Sequence, residues 1–195
     1  MTGRCGIRPT SLCAQVFFLL WLLSAGARAQ NAAEGFEPVA SALRNREFQK
    51  ALELLRPALQ RSPGNAQLWA MQGAAYAGEG QTKEALASFR SALRISPDYL
   101  PALEGAIQIE YEAGDAAAIP LLQRVLRLRP TDATSHGMLA VLDYQRGNCG
   151  AAVAHFEQAG TLFDSKTSAL HAYAICLVKL KQPDKAARVF QRALF

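Results

Sequence analysis

Residues 66–99 read AQLWAMQGAAYAGEGQTKEALASFRSALRISPDY, and this stretch decides the fold. Its apolar residues recur at helical spacing on both sides of residues 78–81, which are rich in glycine as a helix stop should be. Gly73 and Ala85 are small, so two antiparallel helices can approach closely there. The stretch therefore predicts a pair of helices that is joined by a tight turn and closed by Pro97.

A small–large–small pattern from the second helix of this pair recurs at intervals of 33 or 34 residues. The five first positions are Ala51, Ala85, Ala118, Ala152 and Ala186. The five second positions are Leu55, Phe89, Leu122, Phe156 and Phe190. The five third positions are Ala58, Ala92, Val125, Ala159 and Ala193. Self-similarity at this period is typical of a repeat protein in which each unit buries its apolar face against the next.

The repeat resembles the tetratricopeptide repeat (TPR) family from about Gly35 to Phe195. Residues 66–99 carry essentially the full motif, which consists of Trp69, Gln72, Gly73, Tyr76, Gly80, Ala85, Phe89, Ala92 and Pro97. The resemblance implies an all-α fold, a solenoid of about five antiparallel helix pairs in a right-handed superhelix. The units are then expected near 35–65, 66–99, 100–132, 133–166 and 167–195.

Members of this family are mostly protein-interaction scaffolds, so we expect a scaffold here rather than an enzyme, with no cofactor. The partner would lie in the concave groove, which is lined by one side of the first helix of each unit. The resemblance places in this groove Ala70, Ala74, Ala77, Glu104, Gln108, Tyr111, Gly137, Val141, Tyr144, His171, Ile175 and Val178. Because the groove is mixed and partly apolar, it favours a helix or an extended segment of another exported protein.

Two tyrosines are the strongest candidates for contact with a partner. Tyr111 and Tyr144 occupy equivalent positions in successive units, so they should be neighbours along the groove. A tyrosine offers a large rigid surface and a hydroxyl, the kind of side chain that concentrates binding energy. The alternative is that both are partly buried packing residues, since tyrosine serves both purposes.

The N-terminus has the pattern of an export signal. Two arginines precede the apolar run 12–23, and Ala27 and Ala29 provide the small residues that signal peptidase needs. The run is shorter than the roughly 20 residues that span a bilayer, which argues against the alternative of an uncleaved anchor. We expect residues 1–29 to be removed, and the repeat domain 30–195 to be periplasmic or extracellular with no membrane span.

The charge distribution argues against a nucleic-acid partner. The whole chain has a formal net charge of +5, but residues 30–195 contain 18 basic and 16 acidic residues, and the basic ones are spread among the acidic ones. A nucleic-acid-binding domain usually concentrates its basic residues in one patch.

The three histidines do not predict a metal site. His136, His155 and His171 have no His, Asp or Cys three or four residues further along the same helix. Packing or surface roles are therefore expected instead of ligation. Nothing in the sequence pairs a nucleophile with a base, so no catalytic residue is predicted either.

Cys149 and Cys176 are the cysteines of the predicted mature chain, and they fall on helices that should be antiparallel neighbours. A disulfide is conceivable in an oxidising compartment if the Cα atoms come within about 7 Å. The alternative is a pair of small buried thiols. The expected helix register favours the thiols, because it separates the two residues by about one turn.

The C-terminal end of the repeat carries an apolar group formed by Val189, Phe190, Leu194 and Phe195. Solenoids usually cover such an end with a polar-faced element. We expect these side chains to be covered by a partner, by a second copy, or by further chain. The last alternative would make the protein the helical module of a larger envelope-assembly protein or enzyme.

Overall fold

The computed structural model describes residues 36–192, and over that range the secondary structure is entirely helical. The helices are α1 (Glu37–Arg44), α2 (Phe48–Arg61), α3 (Ala66–Gly78), α4 (Thr82–Ile95), α5 (Leu100–Glu112), α6 (Ala118–Leu128), α7 (Ala133–Gln145), α8 (Cys149–Ala159), α9 (Thr167–Lys179) and α10 (Pro183–Arg192). A short 3-10 helix, Gly160–Phe163, follows α8. The predicted signal peptide, residues 1–29, lies outside the described residues.

The helices form five successive pairs, and each pair consists of a first helix (α1, α3, α5, α7 or α9) and the second helix that follows it. The two helices of a pair pack together, and each second helix also packs against the first helix of the next pair. This arrangement confirms the predicted all-α solenoid of about five antiparallel helix pairs. Within residues 36–192, no helix is long and apolar enough to cross a bilayer.

The turn inside each pair requires a left-handed backbone conformation at one residue. Gly80, Gly114 and Gly147 take this position in the second, third and fourth pairs, with φ of 75°, 67° and 76°. Arg46 and Lys181 take it in the first and last pairs, with φ of 60° and 58°. Glycine adopts this conformation without steric cost, whereas the Cβ atom of any other residue makes it unfavourable.

The repeated large residue of each second helix fills the space between consecutive pairs. Leu55, Phe89, Leu122 and Phe156 are all nearly inaccessible to solvent, because the next first helix covers them. Phe89 shows how closely the helices meet. A Cβ atom on Gly73 would lie 2.7 Å from the Phe89 ring. The absence of a side chain at Gly73 is therefore what allows the Phe89 ring to fit between the helices.

The apolar group expected at the C-terminal end is only partly exposed. Val189 is 5% exposed, since it packs inside the last pair, so the expectation that it forms part of an open edge is wrong. Phe190 is 37% exposed because no later pair covers it within residues 36–192. Its ring meets that of His171 edge-on at 5.6 Å between centroids. Leu194 and Phe195 lie outside the described residues.

The structure brings Cys149 and Cys176 together. Their Cα atoms are 4.9 Å apart, within the range that a disulfide spans. The expected offset of about one turn between the two helices is therefore wrong. Cys149 begins α8, and Cys176 lies on the buried side of α9, which packs directly against α8.

Candidate functional site

Three cavities open between successive first helices, on the face where the sequence places the groove. Cavity 1, of about 240 Å³, lies between α3 and α5. Cavity 2, of about 260 Å³, lies between α5 and α7. Cavity 3, of about 320 Å³, lies between α7 and α9. The groove is therefore a row of three openings and not a smooth surface.

The three cavities are built from the same positions of the repeat. The three linings share one position of the earlier first helix and two positions of the later one, at spacings of 33 or 34 residues. The earlier-helix residues are Ala74, Gln108 and Val141. The later-helix residues are Pro101 and Gly105, Thr134 and Met138, and Ser168 and Ala172. A cavity of equivalent lining is therefore repeated at three consecutive junctions.

Cavity 1 is apolar. Ala70 and Ala74 of α3 and Gly105 of α5 are too small to fill the space between these helices, and Phe89 lies beneath it. No charged residue lines this cavity. Tyr99 forms part of the wall, and burial raises the pKa of its hydroxyl. Cavity 1 is therefore suited to an apolar side chain.

Cavity 2 has charged groups at its rim. Arg129 and Glu104 form an ion pair there, with Nη1 and Oε1 3.2 Å apart. Both side chains are more than half exposed, so the pair contributes little to stability. Asp132 caps α7 by accepting a hydrogen bond of 2.7 Å from the Ser135 backbone N–H. Its pKa is lowered chiefly by the hydrogen bond from the Ser135 side chain. Cavity 2 thus presents fixed charges of both signs.

Cavity 3 brings the two predicted tyrosines together. Tyr111 from α5 and Tyr144 from α7 both line it, beside Val141 and Ala172. Both tyrosines are half-buried and also pack against the core, so the contact and packing interpretations each describe part of their surface. Burial raises the pKa of Tyr111. Lys166 places one cation at this otherwise mostly apolar cavity.

The remaining predicted groove residues fall into two groups, those that line cavity 2 and those that lie exposed on α9. Glu104 and Gln108 line cavity 2, and the Gln108 amide donates a hydrogen bond to the Glu112 carboxylate. Ile175 and Val178 line none of the three cavities and are 38% and 54% exposed on α9. His171, also exposed on α9, contacts Phe190 instead. The last first helix therefore extends the groove with a more open surface.

Sequence reasoning missed a pair of histidines in the fourth unit. His136 Nδ1 and His155 Nδ1 lie 2.9 Å apart, and His136 Nε2 lies 3.0 Å from the Pro130 carbonyl oxygen. Trp69 occupies the position equivalent to His136, and its indole N–H donates to the carbonyl of Pro63 at 2.7 Å. His136 therefore replaces the tryptophan of the motif and keeps its hydrogen bond.

The Pro130 carbonyl restricts how the two rings can hydrogen-bond. A carbonyl oxygen only accepts, so His136 Nε2 donates to Pro130; in the neutral tautomer this leaves Nδ1 of His136 as the acceptor for His155. The pKa of His155 is lowered, first by burial and then by His136, while Asp143 at 4.0 Å opposes the shift. Among the described residues, no group of three or more potential ligands could hold a metal ion. The pair is best described as part of the packing of α7 and α8.

This fold and its groove define a tetratricopeptide repeat protein. Residues 30–170 match the family model of the TPR domain of cytochrome c-type biogenesis protein H, and the chain belongs to that family. TPR scaffold families of this kind are generally non-catalytic. No curated protein is significantly similar to the chain in sequence.

Solved structures of MamA share the architecture. MamA from Desulfovibrio magneticus RS-1 is 18% identical, with a TM-score of 0.68 over 84% of this chain and 93% of that one. MamA of AMB-1 is 17% identical, with a TM-score of 0.71 over 85% of this chain and 91% of that one. At this level of identity, the likeness shows the fold alone.

Proposed function

We propose that this protein is a non-enzymatic scaffold that binds a segment of another exported protein along its groove. The observation that supports the proposal most directly is the row of three equivalent cavities, each open to solvent and lined by first helices. Binding sites are typically concave and mostly apolar, with a few placed polar groups. Cavities 1 and 3 have that character.

The proposed location is the periplasm or the exterior of the cell, after removal of residues 1–29. The family match begins at residue 30, where the mature chain is expected to begin. The family takes its name from cytochrome c-type biogenesis, and a partner that is itself exported would suit such a role. The Cys149–Cys176 pair, which we propose is a disulfide, would suit an oxidising compartment.

The test is capture of a partner by matched variants. The purified protein, a Tyr111→Ala/Tyr144→Ala variant and a Leu54→Ala/Leu128→Ala variant are immobilised and exposed to envelope extract. The third variant removes two large, exposed side chains of second helices that line none of the three cavities. We expect one protein to be captured by the wild type and the control and lost with the tyrosine variant. Equal capture by all three, at equal helicity, would contradict binding in the groove.

Self-association through the C-terminal edge is a second candidate, favoured by the exposure of Phe190 at a position that is buried in every earlier unit. In this proposal, a second copy covers Phe190 as a further repeat would. Light scattering at high protein concentration tests it. A stable monomer would remove the candidate, whereas a dimer that dissociates on Phe190→Ser substitution would support it.

A further inference from the structure

A fourth cavity, of about 290 Å³, opens between the first repeat and the second. Its walls come from one face of α2, from Gln72 and Tyr76 of α3, and from Gln81 just before α4. Two residues turn a helix by about 200°, so Gln72 and Tyr76 lie on the side of α3 away from Ala70 and Ala74, which line cavity 1. Cavity 4 shares no lining residue with cavities 1–3, so it is a separate opening outside the groove.

The next junction shows which group pairs with an arginine at this position of the repeat. Arg90 of α4 and Glu110 of α5 form an ion pair there, with Nη2 and Oε1 3.0 Å apart. The Glu110 side chain is buried, whereas most of Arg90 is exposed. Arg56 and Tyr76 lie 34 residues before Arg90 and Glu110, at the equivalent positions. The first junction therefore keeps the arginine but has a tyrosine in place of its carboxylate partner.

Cavity 4 presents one positive and one negative side chain that are not paired. Arg56 and Glu53 both line it, and neither forms an ion pair within residues 36–192. They lie three residues apart on one face of α2, a spacing at which opposite charges can pair with each other. Because they do not, a ligand that satisfies both must carry a carboxylate and a cationic group.

The glutamines of cavity 4 offer both donors and acceptors. Gln72 accepts a hydrogen bond of 3.1 Å from the Ser88 hydroxyl at its Oε1, which leaves its amide nitrogen available as a donor. Gln49 and Gln81 donate to the Glu79 carboxylate at 2.6 Å and 3.1 Å, which leaves their amide oxygens available as acceptors. Glu79 is also a second carboxylate beside the cavity, and it adds to the preference for a ligand with a cationic group.

We infer that cavity 4 binds a free α-amino acid. Its carboxylate pairs with Arg56, as Glu110 pairs with Arg90 in the next repeat, and the Gln72 amide donates to the same carboxylate. Its ammonium group pairs with Glu53. A residue within a polypeptide carries neither of these charged backbone groups, so the site is specific for the free molecule. The volume lies just under the roughly 300–1,000 Å³ of pockets for drug-sized ligands, which suits a smaller one. The inference does not depend on binding in the groove.

The test is titration of the ¹⁵N-labelled protein with each of the common amino acids, with acetate and methylammonium as probes of one charge each. We expect an amino acid to shift the side-chain signals of Gln72 and Arg56 in a saturable manner, and to bind about tenfold or more tightly than either probe. Arg56→Gln should weaken this binding about tenfold or more, because a charged hydrogen bond is lost. Arg127→Gln, an exposed arginine of α6 that lines none of the four cavities, should bind as the wild type does.

Tyr76→Glu tests the site with little risk to the fold. It gives Arg56 the carboxylate that Arg90 has in the next repeat, so it should keep the unfolding midpoint while weakening amino-acid binding about tenfold or more. The absence of saturable shifts with every amino acid would overturn the inference, as would an affinity that is unchanged in both Arg56→Gln and Tyr76→Glu. Acetate that binds as tightly as the amino acids would also overturn it, because Glu53 would then have no role. Capture of a protein partner by the groove is a separate measurement, and none of these results decides it.

Discussion

The Cζ atom of Phe89 lies 2.3 Å from the place where a Cβ atom on Gly105 would stand. Phe89 belongs to α4 and Gly105 to α5, so this contact joins the second repeat to the third. The same ring lies beneath cavity 1. The close approach that holds the two repeats together therefore also shapes one end of the groove.

Gly105→Ala should destabilise the protein by about 1–3 kcal/mol, because the added methyl group overpacks the ring of Phe89. Urea unfolding followed by circular dichroism measures the change. Gly150→Ala is the control, since a Cβ atom at Gly150 would meet nothing within 4 Å. That substitution should be neutral or stabilising by up to about 1 kcal/mol. Equal stability of Gly105→Ala and the wild type would show that the interface between these repeats is looser than described.

Lys181→Gly should stabilise the protein by about 0.5–1 kcal/mol. Lys181 has a φ of 58° at a turn position where three other repeats have glycine, and a side chain is strained in that conformation. The reverse change, Gly147→Ala, should cost a similar amount, because Gly147 has a φ of 76°. Denaturant midpoints of the two variants should move in opposite directions, and a shift of both in the same direction would refute the argument.

Stability should fall on acidification through the titration of His155. Its folded-state pKa is lowered from 6.5 by burial and by His136, so the unfolded chain takes up this proton more readily. The resulting stabilisation is complete above about pH 6.5 and is lost as the pH falls through the folded-state pKa. Unfolding free energies at pH 7.5 and 5.0 should differ more for the wild type than for His155→Gln. His171→Gln, on the exposed side of α9, should keep the wild-type difference.

Reduction should destabilise the protein if Cys149 and Cys176 are bonded. The bond would close a loop across a sequence separation of 27 residues, for which chain entropy predicts a stabilisation of about 3.5 kcal/mol. Dithiothreitol should lower the unfolding midpoint of the wild type and leave that of Cys149→Ala/Cys176→Ala unchanged. Two titratable thiols in the exported, unfolded protein before reduction would contradict the bond.

The fold was predictable because its signals are local and repeated. The motif residues from Trp69 to Pro97 specify helix, turn and helix within one stretch, and the same signals recur in phase in other units. The faces that line the groove follow from the same periodicity, which is why Tyr111 and Tyr144 could be expected as neighbours. Both line cavity 3.

The missed features depend on how separate helices meet. His136 and His155 are 19 residues apart on two helices, so their hydrogen bond follows from the rotation of α8 against α7 and not from a motif. The register of Cys149 against Cys176 was misjudged for the same reason. The cavities depend on the volume left between repeats, although the small residues Ala74 and Gly105 at groove-facing positions were a readable signal.

Binding of the captured partner to groove-filling variants tests the central claim most directly. The affinity of the purified partner is measured by titration calorimetry for Ala74→Trp, Thr134→Trp and Ser168→Trp, which each obstruct one cavity. Ala87→Trp and Ala154→Trp, on exposed positions of second helices, are the matched controls. Binding through the row of cavities predicts a loss of about tenfold or more for each groove variant and no change for the controls. Unchanged affinity in all three groove variants, or a loss confined to the two controls, would contradict it.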